Sequence, residues 1–167
     1  ITDNGNIGSG GALTDQADVT LSVTAVNDAP VNTVPGTQQT DQDAALVFSS
    51  GNGNLISVSD VDAGSNEIQV TLTVTNGLIS LSGTGGLTFS QGSGVNDASM
   101  MFVGTLSDIN TALDGLIFSP IAGFNGLSSL SITSNDQGFS GSGGPQTDTD
   151  VVSITVNSIN PIVTLVT

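Results

Sequence analysis

Alternating apolar and polar residues recur along this chain and predict half-buried β-strands. The clearest run is 68–75, where Ile68, Val70, Leu72 and Val74 alternate with polar residues. Similar or continuous apolar runs predict further strands at 44–49, 54–59, 78–81, 87–89, 99–104, 116–119, 127–133 and 149–157. Short strands separated by frequent turns are typical of a sandwich. We therefore predict an all-β fold, an antiparallel β-sandwich.

Two segments refine this expectation. Asn76-Gly77 is a two-residue hairpin signal, so the strands on either side of it are expected to pair. Residues 107–115 break the alternation, with Ser107 as the predicted N-cap and Gly115 at the end. Apolar residues four apart in this segment indicate one helical face. We predict one short helix that crosses between the two sheets.

The chain also contains an internal repeat. Residues 1–30 align with 132–161 at an offset of 131, which superimposes Ile1 on Ile132 and Pro30 on Pro161. Three alternating apolar positions recur together: Leu21, Val23 and Ala25 align with Val152, Ile154 and Val156. Chance similarity of two Gly-rich strands is the alternative. We predict a tandem array, with closing strands of a preceding repeat plus linker at 1–30, a complete repeat at 31–160, and the opening strand of the next at 161–167.

Charge narrows the possible partners. The chain has 15 acidic residues and no Lys, Arg or His, giving a net charge of −15. Phosphate recognition and attraction to anionic membranes both need cationic side chains, so nucleic acid is not an expected partner. No apolar stretch approaches membrane-spanning length, so direct membrane insertion is not expected either. Most of the acids are Asp, a common calcium ligand, although acidic residues that simply keep the surface soluble are an alternative.

Catalysis is not expected from this composition. The chain lacks His, Cys, Lys and Tyr, which removes the usual bases and nucleophiles. A mechanism based on paired carboxylates is the remaining possibility, and it would act without any cationic group. The absence of Cys also excludes disulfides.

One loop motif has the chemistry of a cation site. The pattern Asp60-x-Asp62-x-Gly64-x-Asn66 places two carboxylates and an amide in one loop, with a Gly that permits a tight turn. Hard cations need such clustered oxygens. Ordinary turns use the same residue types, so the motif alone is weak.

The surrounding motifs resemble those of cadherins. The Asp60 loop motif resembles the cadherin pattern, 135–138 (Asn-Asp-Gln-Gly) resembles a loop that supplies a further ligand, and 26–30 (Val-Asn-Asp-Ala-Pro) resembles the acidic linker. The nearest resemblance is to the cadherin-like tandem repeats of giant bacterial surface proteins and adhesins. Their signatures are matched by 56–64, 104–115 and 26–31.

This resemblance implies a cadherin/Ig-like sandwich that is strung end to end in an extracellular, cell-surface protein and rigidified by calcium. The implied metal ligands are Asn27, Asp28, Asp60, Asp62, Asn66 and Asp136. Asp3 would be the copy of Asp136 from the preceding repeat. Related repeats carry a Glu at the position of Gln42, and Asp43 would serve in its place. The expected function is a structural calcium-binding spacer that extends and stiffens a stalk, with neighbouring repeats as partners. A self-assembling filament subunit, a homopolymer joined by strand exchange, is the alternative; a terminal glycan- or ice-binding domain is a third hypothesis.

The two junctions of the repeat are predicted to differ. The first contains Asn27-Asp28 before Pro30, whereas the second, 158–161, reads Ser-Ile-Asn-Pro and has no acid. Calcium binding is therefore expected to be weaker or absent at the second junction.

Overall fold

A computed structural model describes residues 1–2, 4, 8–10, 12 and 14–159 of this chain. Strands and one helix make up the regular structure of that part. In chain order the elements are β1 (Val31–Thr33), β2 (Gln38–Asp41), β3 (Leu46–Phe48), β4 (Ser57–Ser59), β5 (Ile68–Val74), β6 (Gly77–Ser80), β7 (Thr88–Gln91), β8 (Ser99–Gly104), α1 (Leu106–Leu113), β9 (Leu116–Pro120), β10 (Gly126–Asn135) and β11 (Thr147–Asn157).

The strands form one large sheet, one smaller sheet and a separate pair. The large sheet has the order β2-β11-β10-β5-β8-β7, the smaller one has the order β3-β9-β6, and β1 pairs with β4. Every pair is antiparallel except β2 with β11, which is parallel. One apolar core joins residues of both sheets, including Leu72 and Phe102 from the large sheet and Phe118 from the smaller one. The prediction of an all-β sandwich with one short helix is confirmed.

Strand β5 shows why the alternating pattern produces this fold. It lies between β10 and β8, so both of its backbone edges are hydrogen bonded. Its apolar residues face the core: Ile68, Val70 and Leu72 are fully buried and Val74 nearly so. Burial of each such side chain stabilises the fold by about 1.5–3 kcal/mol. The intervening Thr residues lie on the outer face of the sheet.

The predicted hairpin at Asn76-Gly77 is wrong. Strand β6 pairs with β9 in the smaller sheet and not with β5. Asn76 adopts the left-handed conformation (φ 54°) that the motif favours, but the turn carries the chain from one sheet to the other. Gly77 is required there because a Cβ atom would overlap the Phe118 ring. A turn motif fixes the local reversal and leaves the hydrogen-bonding partner to tertiary packing.

Helix α1 crosses between the sheets as predicted, joining β8 of the large sheet to β9 of the smaller one. Its N-cap is Thr105 and not Ser107: the Thr105 hydroxyl accepts a hydrogen bond from the backbone amide of Asp108 at 3.3 Å. The helix is also fastened to β4 by Asn110, whose side-chain amide exchanges two 2.8 Å hydrogen bonds with the backbone of Val58. The helix thereby holds the strand that leads into the Asp60 loop.

All of the named strands and the helix lie within residues 31–157. Residues 15–25 belong to no strand, and Val26 forms a single parallel bridge with Ser142. The assignment of 1–30 to a preceding repeat stays a prediction, as does the tandem array. The predicted opening strand at 161–167 lies outside the described residues. No helix in the described part of the chain is long and apolar enough to cross a membrane.

Candidate metal site

The loop that follows β4 gathers two carboxylates. Asp60 Oδ1 accepts hydrogen bonds from the backbone amides of Asp62 (3.1 Å) and Ala63 (3.2 Å), which folds the loop back on the Asp60 side chain. Gly64 has a φ of 56°, a left-handed conformation that suits Gly. The short loop therefore holds the Asp60 and Asp62 side chains in fixed positions.

The linker and a third segment meet this loop. The backbone amide of Asp28 donates to Asp62 Oδ2 at 3.1 Å, and the Ser140 hydroxyl donates to the Asp62 carbonyl oxygen at 2.8 Å. The site is therefore assembled from three stretches of chain that are distant in sequence: the linker, the loop after β4, and the Gly-rich loop between β10 and β11. The structure brings Asp60 and Asp62 into one loop and places the Asp28 backbone against Asp62.

Asp136 contacts the linker, and both of its carboxylate oxygens accept hydrogen bonds. Its Oδ2 accepts from the Asn27 side-chain nitrogen at 2.6 Å, and its Oδ1 accepts from the backbone amides of Gly138 and Gln146, each at 2.8 Å. Asn27 and Asp136 are both buried, with 2% and 4% of their surfaces exposed. Three donors stabilise the buried carboxylate. Asp136 therefore anchors the linker in this structure through Asn27.

Asn27 also ties the linker to the Gly-rich loop. Its side-chain nitrogen donates to the Gly144 carbonyl oxygen at 2.9 Å, and its backbone carbonyl oxygen accepts from Gln146 Nε2 at 2.8 Å. Its backbone amide donates to the Ser142 carbonyl oxygen at 2.9 Å, and the Ser142 amide donates to the Ala25 carbonyl oxygen at 2.9 Å. We call this set of contacts the Asn27 clamp. The sequence did not reveal it, although the run of Gly residues after Asp136 is a signal of close backbone approach.

Three oxygens of this region are buried without any hydrogen-bond partner: Asn27 Oδ1, Asp60 Oδ2 and Asp62 Oδ1. An unpaired buried oxygen is costly, most of all when it belongs to a carboxylate. Burial raises the pKa of Asp60, and the neighbouring Asp62 carboxylate raises it further, while the two backbone amides act in the opposite direction. A cation beside the two carboxylates would give Asp60 Oδ2 and Asp62 Oδ1 a partner and offset their repulsion, and the bond from the Asp28 amide to Asp62 places neighbouring Asn27 next to this loop.

The donor set determines which cation fits. Within the described residues, no three Asp, Glu, His or Cys side chains form a group that could hold a metal ion. An ion at this place would therefore be bound by the two carboxylates and by neutral oxygens such as that of Asn27. Calcium accepts mixed carboxylate, amide, carbonyl and water ligands in flexible geometry, which suits this arrangement. An open groove lined by Asp28, Ala29, Val31, Ser59, Asp60 and Val61 leads to the loop.

Two of the remaining predicted ligands, Asn66 and Asp43, differ in their distance from the Asp60 loop. Asn66 is in the same loop, half-buried, and its backbone amide donates to the Ala63 carbonyl oxygen at 2.8 Å. Asp43 follows β2, and its Oδ1 accepts from the Gly123 amide at 2.8 Å. The backbone amide of neighbouring Gln42 donates to Asn157, the last residue of β11. Asp136 instead accepts from Gln146, the residue just before β11 begins. The 11 residues of β11 span roughly 35 Å, so Asp43 lies at the opposite end of the sandwich.

Asp3 lies outside the described residues. The metal-binding role of each of the eight predicted ligands stays a prediction.

Neither a protein-family model nor a curated protein matches the sequence. Among solved structures, a cohesin module from a Clostridium perfringens family 33 glycoside hydrolase is similar, with 11% identity and a TM-score of 0.40, covering 83% of this chain and all of that one. A likeness of this degree carries no argument about the fold or the function. The sandwich fold follows from the strand pairing, and the resemblance to cadherin-like repeats remains an expectation.

Proposed function

We propose that this chain is a calcium-binding spacer repeat of a large extracellular cell-surface or adhesin protein, and that it extends and stiffens a stalk without catalysing a reaction. The observation that carries the proposal is the set of three unpartnered oxygens on Asn27, Asp60 and Asp62. These oxygens lie where the linker enters the sandwich. A cation bound to them would cross-link the two.

Stiffening follows from which segments supply the oxygens. Asn27 belongs to the linker, whereas Asp60 and Asp62 belong to the sandwich. Without a cation, the two carboxylates repel each other and hydrogen bonds alone hold the linker. With a cation, any rotation of the linker would break a metal–oxygen contact. Calcium binding is therefore expected to restrict the angle between the linker and the sandwich.

The composition favours a hard divalent cation. The net charge of −15 has no internal compensation, because the chain has no Lys, Arg or His. Softer metals prefer thiolate or imidazole ligands, and the chain has neither. Extracellular calcium modules bind with Kd values of about 10⁻⁴–10⁻³ M. At about 10 mM calcium, such an affinity stabilises the folded state by about 1.4–2.7 kcal/mol.

The test is calorimetric titration of the chain with calcium, combined with thermal melting in calcium and in chelator. We expect heat of binding and a higher melting temperature in calcium. Asp62→Asn should weaken both, because it removes one of the two carboxylates. Asp41→Asn is the matched control, since it removes the same charge at the exposed far end of the sandwich. Absence of binding heat and of a melting shift in the unaltered chain would refute the calcium part.

A filament subunit joined by strand exchange is the second candidate. It is favoured by one observation, the exposure of the alternating apolar residues Val19, Leu21 and Val23, which are 90%, 84% and 83% exposed. Such a segment can pair with a sheet edge of another copy. Light scattering of the purified chain over a range of concentrations separates the two candidates, because a strict monomer contradicts the filament.

A further inference from the structure

The segment 18–26 has an apolar face without a partner in the described structure. Val19, Leu21 and Val23 are almost completely exposed. Thr20, Ser22 and Thr24 alternate with them. A period of two with one apolar face is the pattern of a strand that packs on a core. Soluble proteins rarely leave such a continuous apolar row in water, so this row indicates an interaction surface.

The same pattern occurs in β11, where its packing is known. At the offset of 131, Leu21, Val23 and Ala25 correspond to three residues of β11 that are 1%, 0% and 2% exposed, namely Val152, Ile154 and Val156. The polar residues Ser22 and Thr24 correspond to Ser153 and Thr155 on the opposite face. The segment thus carries the residue types that the core accepts from a last strand.

The position of β11 defines what such a strand needs. It lies between β10, to which it is antiparallel, and β2, to which it is parallel. Val152 is paired with Leu130 of β10, and Ile154 with Ser128 of β10 and Gln38 of β2. This is an internal position with hydrogen bonds on both sides. Addition of a strand to an open sheet edge would satisfy only one side.

We propose that residues 18–26 form the last strand of a second sandwich of the same strand order, inserted between strands equivalent to β10 and β2. The register follows from the offset: Leu21 opposite the equivalent of Leu130, and Val23 opposite the equivalent of Ser128. The partner is the preceding repeat of the tandem array, in which residues 18–26 fill the position that β11 fills in this sandwich. This proposal rests on the tandem-repeat part of the proposed function and is independent of calcium.

The Asn27 clamp fastens the end of this strand to the sandwich that follows it in the chain. Ala25 and Asn27 are fastened by backbone hydrogen bonds to Ser142, so the clamp begins where the proposed strand ends. Gly141 permits this close approach, because a Cβ there would lie 2.8 Å from the Ala25 carbonyl oxygen. One continuous segment would then complete one sandwich and be clamped by the next. Neighbouring sandwiches would be joined without a flexible spacer between them.

A concatenated chain tests the proposal. Residues 31–146, a sandwich without β11, are placed directly before residues 16–167, so that 18–26 can act as the missing strand. A control chain joins residues 31–160 to residues 30–167 and keeps β11 in both copies. Hydrogen exchange of the amides of 19–25 is measured in the concatenated chain and in the original chain. Val23→Asp is compared with its matched control Ser22→Asp, which alters the opposite face.

We expect two folded sandwiches in the concatenated chain, with exchange of the 19–25 amides slowed at least about 100-fold relative to the original chain. Val23→Asp should abolish the slowed exchange of the 19–25 amides and remove the unfolding transition of the first sandwich, while the second sandwich still unfolds normally. Ser22→Asp should retain the slowed exchange and both unfolding transitions. The proposal is overturned if the control folds as two sandwiches and the concatenated chain folds as one. It is also overturned if both sandwiches fold while the 19–25 amides exchange as in the original chain. A loss of calcium binding in either chain would concern the proposed function alone.

Discussion

Replacing Asn27 with Ser tests the hydrogen bonds that fasten the linker. The change reproduces the second junction, where Ser158 stands at the position equivalent to Asn27. Ser cannot reach the two acceptors that Asn27 contacts, which are Asp136 Oδ2 at 2.6 Å and the Gly144 carbonyl oxygen at 2.9 Å. Both Asn27 and Asp136 are buried, so water cannot readily replace the lost bonds.

The expected magnitude follows from the types of bond. A hydrogen bond to a charged group contributes about 1.5–3 kcal/mol and a neutral one about 0.5–1.5 kcal/mol, so the clamp should lose roughly 2–4 kcal/mol. Opening of the linker by itself is a local event, so its free energy is lowered by the full amount while global stability falls by less. Since 1.4 kcal/mol corresponds to tenfold, exchange of the clamp amides should accelerate roughly 30- to 700-fold.

The assay is native-state hydrogen exchange of the Asn27 and Ser142 amides, which donate to the Ser142 and Ala25 carbonyl oxygens. Asn52→Ser is the control, because Asn52 is exposed and lies outside the clamp. It should leave these two exchange rates unchanged. If Asn27→Ser changed them by less than about threefold, well below the loss expected for buried hydrogen bonds, the clamp would not hold the linker.

Three other substitutions probe the site and the fold. Asp60→Asn keeps an acceptor for the loop amides and removes a carboxylate whose pKa is raised. Because the ionised carboxylate destabilises the metal-free fold above that pKa, the variant should melt at a higher temperature than the unaltered chain in chelator at pH 7. Below the ordinary pKa of 3.8 the variant should show no gain in melting temperature. An unchanged melting temperature at pH 7 would contradict this. Gly77→Ala should cost about 1–3 kcal/mol in urea unfolding, because its Cβ overlaps the Phe118 ring, whereas Gly36→Ala, with no atom nearby, should cost little. Asn110→Ala should cost about 1–3 kcal/mol, because two backbone groups of β4 lose their partners; a urea midpoint like that of the unaltered chain would show that water replaces them.

The sandwich was predictable because alternation and turn chemistry are local. The residues of β5 show it, since the pattern of four apolar positions alone identified the buried face. The partner of β6 was not predictable from the Asn76-Gly77 turn, because the same dihedral angles serve a hairpin and a crossing between sheets. The N-cap of α1 was misplaced by two residues, since Thr105 and Ser107 offer the same hydroxyl chemistry.

The candidate site was predictable only in part. The spacing of Asp60 and Asp62 identified the loop, because local turn geometry brings the two side chains together. The junction with Asn27 and Asp28 came from the resemblance to cadherin-like repeats. The roles of Ser140, Gly144 and Gln146 were not foreseen, because these contacts join segments more than 70 residues apart in sequence and depend on the final packing. The same holds for the use of Asp136 as a hydrogen-bond acceptor.

Calcium is proposed to stiffen the junction between the linker and the sandwich. The chain contains no Cys, so Ser22→Cys and Ser153→Cys, both exposed positions, allow a single pair of spin labels. The distribution of distances between the labels is measured in calcium and in chelator. We predict a narrower distribution in calcium, and that Asp62→Asn removes the difference. Distributions of equal width in calcium and in chelator would contradict the account.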